Sequence, residues 1–300
     1  MKIEKLYPAY KDYLWGGSKL KEKYGKQTDT DPLAESWELS FHKDGLTRIS
    51  DGRTLAEAVC KKDLGENAEK FEFFAVLNKF IDAKQNLSVQ VHPSDGYALK
   101  NEGSYGKTEM WYIVDAEEGA GIYLGFKKSV TAKEVQLAIE ENRLTELLNF
   151  YSVKAGESYF IPSGTVHAIG AGCLIYEIQQ NSNLTYRVYD YGRKDKNGKE
   201  RELHVEKALK VADFKKYEKS VFGTGILGEC EYFRVTEKVV GGKEIFFSDN
   251  KSFRCITCVS GDGYIEEQKI TQGDSFFVPA NYGEYVLNGK MKLIFTEIGQ

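Results

Sequence analysis

Residues 86–93 read Asn86-Leu87-Ser88-Val89-Gln90-Val91-His92-Pro93, and residues 105–114 read Tyr105-Gly106-Lys107-Thr108-Glu109-Met110-Trp111-Tyr112-Ile113-Val114. In the first stretch Leu87, Val89 and Val91 alternate with Ser88, Gln90 and His92. That is the period of a β-strand, so the three polar side chains share one face. Pro93 cannot continue a central ladder, so the strand stops there and a loop carries the chain to a second strand beginning near Lys107. Lys107, Glu109, Trp111 and Ile113 share a face of that strand. A carboxylate then stands beside an amide and an imidazole, donors that suit a divalent transition metal such as zinc, with the Gln90 carbonyl as the weaker partner.

Outward from this pair, short apolar or alternating runs recur at 120–125, 157–161, 173–179, 184–191, 231–240, 253–259, 274–278 and 292–297, separated by Gly, Asn and Asp. Helical signals are few. Thr54-Leu55-Ala56-Glu57 has the form of a capping box and predicts a short helix within about 52–64. Thr131-Ala132-Lys133-Glu134 repeats that form ahead of an amphipathic pattern reaching about residue 150, and a further helix is expected over 205–212. The fold class that follows is mainly β, built as two barrel or jelly-roll units with a small helical insertion.

An internal repeat divides the chain. Gly156-Glu157-Ser158-Tyr159-Phe160-Ile161-Pro162 aligns without gaps on Gly273-Asp274-Ser275-Phe276-Phe277-Val278-Pro279. Where the first copy reaches His167, the second has Glu284. The expected organisation is a metal-binding catalytic unit over 1–220 and a second unit over 221–300 without metal ligands, joined by the charged region from Lys194 to Ser220.

Composition narrows the functional classes. Three hundred residues with 41 Lys and Arg against 45 Asp and Glu carry a net charge of −4 and no basic block, which argues against a nucleic-acid partner. The first residues have no apolar leader, and no apolar run is long enough to span a membrane, so the sequence reads as soluble and cytoplasmic. Five cysteines in 300 residues make no disulfide scaffold. Cys255 and Cys258 form a C-x-x-C spacing, but they fall in a strand-like run and so face opposite ways. They read as buried structural thiols.

Two of the four histidines fall in these motifs, His92 and His167, and the turn Pro162-Ser163-Gly164 aims His167 off the end of a strand. Together with Gln90 and Glu109 they make a two-His, one-carboxylate set plus an amide oxygen. His42, on the polar face of Trp37-Glu38-Leu39-Ser40-Phe41-His42, reads as a solvated strand histidine, and His204 as structural.

Four segments then carry a specific resemblance: Leu87 to Pro93; Lys107-Thr108-Glu109-Met110-Trp111; Tyr159 to His167; and Glu177-Ile178-Gln179-Gln180-Asn181-Ser182-Asn183-Leu184-Thr185-Tyr186-Arg187-Val188-Tyr189-Asp190. In this order they resemble the type I mannose-6-phosphate isomerase family in its short bacterial form, from Trp15-Gly16-Gly17 to the end of the chain. The resemblance implies the cupin fold, one zinc ion at Gln90, His92, Glu109 and His167, and interconversion of mannose 6-phosphate and fructose 6-phosphate. It implies a catalytic role for Arg187, a substrate-facing Lys107, and Ser88 near the phosphate end. Thr108 stands where many longer relatives have Pro, and much of their helical insert is absent.

Aldose–ketose isomerisation needs a proton removed next to a carbonyl and a developing cis-enediolate stabilised. Arg187 can hold a phosphate or an enediolate through its planar fork, and stays protonated. The proton acceptor is then Glu177, whose pKa an enclosed barrel would raise, or a water on the metal. Glu177 as a structural partner of Arg187 is the other reading of that residue. Trp15 is expected to close one wall of the sugar pocket, with an ordinary core position as its alternative. The competing functions are a cupin-type iron oxygenase on the same ligand set and a non-catalytic sugar-phosphate-binding cupin. Oligomeric state, the metal used in the cell and the range of hexose phosphates have no signature in the chain.

Overall fold

Strand formers dominate the chain, and in the computed structural model, which describes residues 1–194 and 198–300, they pair into three antiparallel sheets. Residues 195–197 of the charged connecting region lie outside the described residues. The central six-stranded sheet runs Ala9–Lys11, Glu35–Leu39, Val76–Ala83, Cys173–Gln180, Glu109–Ala116, Ser158–Ile161. A five-stranded sheet runs Tyr186–Tyr189, Val89–Val91, His167–Ile169, Gly121–Phe126, Leu148–Ser152. The third, seven-stranded sheet is built from Ile226–Glu229, Arg234–Ser248, Arg254–Ile265, Gln268–Thr271, Ser275–Val278 and Gly283–Glu297, with Glu4–Lys5 from the amino terminus on its edge.

These sheets stack through side chains. One face of the central sheet packs Ile81, Trp111, Ile113 and Ile175 against Ile122, Leu124 and Ile169 of the five-stranded sheet. Its other face packs Val76, Phe80, Met110 and Tyr176 against Val235, Cys255, Phe277 and Ile294 of the seven-stranded sheet. Covered on both sides, Val76–Ala83 and Cys173–Gln180 are buried at every residue. Such a strand loses the polar alternation of a half-solvated one, which is why the sequence reading passes over Val76–Ala83. The outer face of the five-stranded sheet is covered by helices, through Val135, Ile139, Leu144 and Ala208.

The expected barrels are not closed. Each sheet keeps two edges, and enclosure comes from sheets facing one another. The two aligned segments share a local turn and strand: Gly156 and Gly273 both adopt φ +93°, a conformation open to glycine, and each leads into a strand, Ser158–Ile161 and Ser275–Val278.

Helix boundaries differ from expectation in informative places. The Thr54 and Thr131 capping boxes both form. The first segment, however, splits into Leu55–Ala58 and Lys61–Leu64. The second is shorter than predicted: Ala132–Glu140 ends before Asn142, whose φ of 56° turns the chain into Leu144–Leu147 and then into the strand Leu148–Ser152. Asn tolerates that left-handed conformation. Val205–Val211 is helical as expected. The link after Pro93 is not a loop but the helix Asp95–Glu102, closed by Gly103 in the left-handed region. No helix among the described residues is long and apolar enough to cross a membrane.

Candidate active site

The site lies where the five-stranded sheet faces the central one. Register places His167 directly opposite Gln90, and Gln90 opposite Arg187, on three neighbouring strands of the first sheet. Glu177 sits between Lys79 and Trp111 on three neighbouring strands of the second, with Glu109 opposite Gln179 one step along. Direct partners in an antiparallel pair point to the same side, so these rows present their side chains to one another across the gap.

His92, Glu109 and His167 converge, their ligand atoms lying within 4.8 Å of one another, and all three are buried. His92 Nε2 is 3.5 Å from Glu109 Oε2, and His167 Nε2 is 3.3 Å from Glu109 Oε1. Gln90 turns its amide nitrogen, not the carbonyl oxygen expected as a ligand, towards the cluster, with Nε2 at 3.3 Å from His167 Nε2. Both imidazoles are fixed from behind: His92 Nδ1 lies 2.9 Å from the Leu184 carbonyl and His167 Nδ1 2.8 Å from that of Thr165. Donating Nδ1–H to a carbonyl leaves the Nε2 lone pair facing inward, the arrangement that orients a metal-ligating histidine. Burial, reinforced by Lys107, holds His92 well below its ordinary pKa, and burial takes His167 down to about 4, so both rings are neutral donors. Glu109 Oε1 is buried without a hydrogen-bond partner. An orphaned carboxylate oxygen beside two preset imidazoles fits a divalent transition ion.

Lys107 completes the cluster. Its Nζ contacts Glu109 Oε2 and lies 3.2 Å from His92 Nε2 and 3.3 Å from Glu177 Oε1. Glu177 takes a 2.8 Å hydrogen bond from the Trp111 indole on its other oxygen and a second ammonium, Lys79, at 3.2 Å. Burial alone would raise its pKa, but Lys107 and Lys79 outweigh that and hold it below the usual carboxylate range. The expected upward shift is therefore reversed. Nor is Glu177 a partner of Arg187, which instead donates from Nε to Ser88 Oγ at 3.3 Å and from Nη1 to the Glu202 carbonyl at 2.9 Å.

A pocket of about 270 Å³ opens beside the cluster, and Trp15, Ser88, Gln90, Lys107, Glu177 and Arg187 all line it. Trp15 is buried, with Tyr13 stacked on it at 5.5 Å. Sequence reasoning missed Lys79, Glu35 and Arg201 in the same wall. Lys79 had a signal, a single lysine inside the apolar run from Ala75 to Ile81. Arg201 had none. It is held by Asp190, which it meets through Nε at 2.7 Å and Nη2 at 2.5 Å, and Arg193 also pairs with that carboxylate.

The remaining histidines lie outside the cluster. His42 stands beyond the end of its strand, half-buried with its ring edge-on to Trp37, and its Nδ1 accepts from Asp44 N at 3.2 Å. His204 holds the Arg187 backbone, its own N–H donating to the Arg187 carbonyl at 2.7 Å.

Comparison with known proteins adds a consistent picture. Residues 3–119 match the family description "Phosphomannose isomerase type I, catalytic domain", and residues 224–298 match "Mannose-6-phosphate isomerase, cupin domain". A probable mannose-6-phosphate isomerase of Bacillus subtilis (strain 168) is 35% identical over 310 residues, covering 97% of this chain and 98% of the relative. A mannose-6-phosphate isomerase of Streptococcus mutans is 32% identical, covering 94% of this chain and 93% of its own. The crystal structure of the mannose 6-phosphate isomerase from Bacillus subtilis superposes with a TM-score of 0.88 at 32% identity, covering 99% of each chain.

Proposed function

This chain belongs to the type I mannose-6-phosphate isomerase family, and on that premise we propose that it interconverts mannose 6-phosphate and fructose 6-phosphate using one zinc ion held by His92, Glu109, His167 and Gln90. The observation that carries the reading is the buried His92–Glu109–His167 cluster, which Gln90 and Lys107 join to a cationic pocket of sugar-phosphate size that they both line. The comparisons favour this reaction over an oxygenase or a sensor. The chemistry such an ion supplies when bound is Lewis-acid polarisation of the sugar carbonyl and stabilisation of enediolate charge.

The protein's own groups divide the rest. Arg187, Ser88 and Arg201 stand together in the pocket wall and take the phosphate, two guanidinium forks suiting its oxygens. Trp15 and Tyr13 wall off the sugar from water. Lys107, which lines the pocket and touches both Glu109 and Glu177, neutralises negative charge on the sugar oxygens. Glu177 takes the proton. Lys79 and Lys107 keep it ionised, the form a base needs, at the expense of basicity. Substrate oxygens that draw off either ammonium restore that basicity when it is required. The catalytic unit spans 1–220, and 221–300 forms a second, metal-free cupin-like unit. A sugar-phosphate substrate and five free thiols suit the reducing cytoplasm.

The test is a coupled assay for fructose 6-phosphate formed from mannose 6-phosphate, before chelation, after it, and after zinc is restored. Activity is expected to disappear and return, and His92→Ala to lose metal and activity together. Full activity in metal-free protein would overturn the zinc assignment. Bound metal without turnover in any state would overturn the isomerase.

A further inference from the structure

Three consecutive backbone N–H groups around Lys107 are each held by a different partner. Gly106 N donates to Asp95 Oδ1 at 2.6 Å, Lys107 N to the Pro93 carbonyl at 3.0 Å, and Thr108 N to Gln180 Oε1 at 2.7 Å. Gln180 Nε2 closes the circuit by donating to Asp95 Oδ1 at 2.8 Å. The fit leaves no room for a side chain at Gly106, where a Cβ would lie 2.4 Å from the Pro93 carbonyl oxygen. The free oxygen of Asp95 accepts a 2.6 Å hydrogen bond from the Tyr232 hydroxyl, which arrives from the carboxy-terminal part of the chain. Tyr232 is itself packed against Phe71 at 5.5 Å and Tyr105 at 6.4 Å.

We propose that Tyr232, Asp95 and Gln180 are positioning residues, a hydrogen-bonded clamp that sets the Lys107 backbone and so aims its ammonium, making the metal-free carboxy-terminal unit a contributor to catalysis through one phenol. Lys107 needs such a clamp because its strand starts only at Glu109: ahead of it backbone bonds hold only the Lys107 N–H and the Thr108 carbonyl, the latter from Gln180 N at 3.0 Å, while the Gly106 and Thr108 amides rest on the side chains of Asp95 and Gln180. Gln180 ends the strand that carries Glu177, so one element places both the clamp and the carboxylate that Lys107 faces. The proposal rests on the isomerase reading for what Lys107 does there.

The test uses full-length, zinc-restored Tyr232→Phe, which keeps the ring and removes only the hydroxyl. Zinc per chain should stay as in the unmodified protein and backbone amides of Gly106 to Thr108 should exchange faster, while kcat falls about tenfold, the rate equivalent of one hydrogen bond, and KM stays within about twofold. In a Lys107→Met background the same substitution should lower kcat no further, because the clamp acts only through that side chain. Unchanged exchange at 106–108, unchanged kcat, or the same fold loss in both backgrounds overturns the proposal. If Lys107→Met turns over too slowly to measure, amide exchange and the split between kcat and KM decide. Exchange needs no turnover, so failure of the isomerase reading, seen as an inactive unmodified protein, stays distinguishable from failure of the clamp.

Discussion

Glu109 and Glu177 are buried carboxylates on one sheet face that share the Lys107 ammonium, yet their surroundings drive them apart. Burial and the neighbouring Glu177 push Glu109 up against the pull of Lys107, while Glu177 has a second cation in Lys79 and stays ionised. Two carboxylates thereby acquire different duties, as separated pKa values allow. Arg187 shows a third environment: burial and the nearby Arg201 lower its pKa without removing its charge, and it holds Ser88 in the pocket wall. Arg187→Ala should therefore leave zinc bound and lower kcat/KM by about a hundredfold or more, through a lost charge-assisted contact to substrate. Metal analysis beside steady-state kinetics checks it, and an unchanged rate would strike Arg187 from the site. The three residues that converge, His92, Glu109 and His167, were legible as candidate ligands from identity and alternation. Lys79 left only the trace of a lysine in an apolar run and Arg201 none, because what sets each in the pocket wall is a partner more than ten residues away, Glu177 for one and Asp190 for the other.

At the level of elements, the C-x-x-C spacing shows how strand geometry overrides a motif. Cys255 faces the core shared with the central sheet and Cys258 the core on the opposite side of the same strand, both fully buried. Burial raises both thiols to about 12, far from the thiolate a metal needs. Replacing either by Ala should leave zinc stoichiometry unchanged and cost roughly 1 kcal/mol of stability through lost packing. Loss of zinc in either variant, measured by metal analysis on folded protein, would show that the pair binds it. Capping boxes were readable because Thr54–Glu57 and Thr131–Glu134 are local interactions. The break at Asn142 and the helix after Pro93 were not, since a single positive φ and a Gly-containing turn of helix leave little trace in apolar periodicity.

Across the whole molecule, the site exists because two sheets face each other. His92 and His167 come from one and Glu109 from the other, so an ion bridging them ties the layers together and should stabilise the fold. With free zinc a hundredfold above its Kd the gain is about 2.7 kcal/mol, and chelation should lower Tm by roughly 5 °C, as read by calorimetry with and without chelator. No shift would mean that the three residues do not hold a metal in the native state. Strand content, the repeat beginning at Gly156 and Gly273, the candidate metal-binding residues His92, Glu109 and His167 and the family were all legible in the amino-acid sequence, because each depends on residue identity and short-range spacing. Only the tertiary structure decided that the sheets stay open, that Val76–Ala83 is a strand buried on both faces, that Glu177 is held ionised by two lysines, and that Tyr232 reaches Asp95. These depend on which faces meet and on charges brought together from distant positions, and an unfolded chain carries neither.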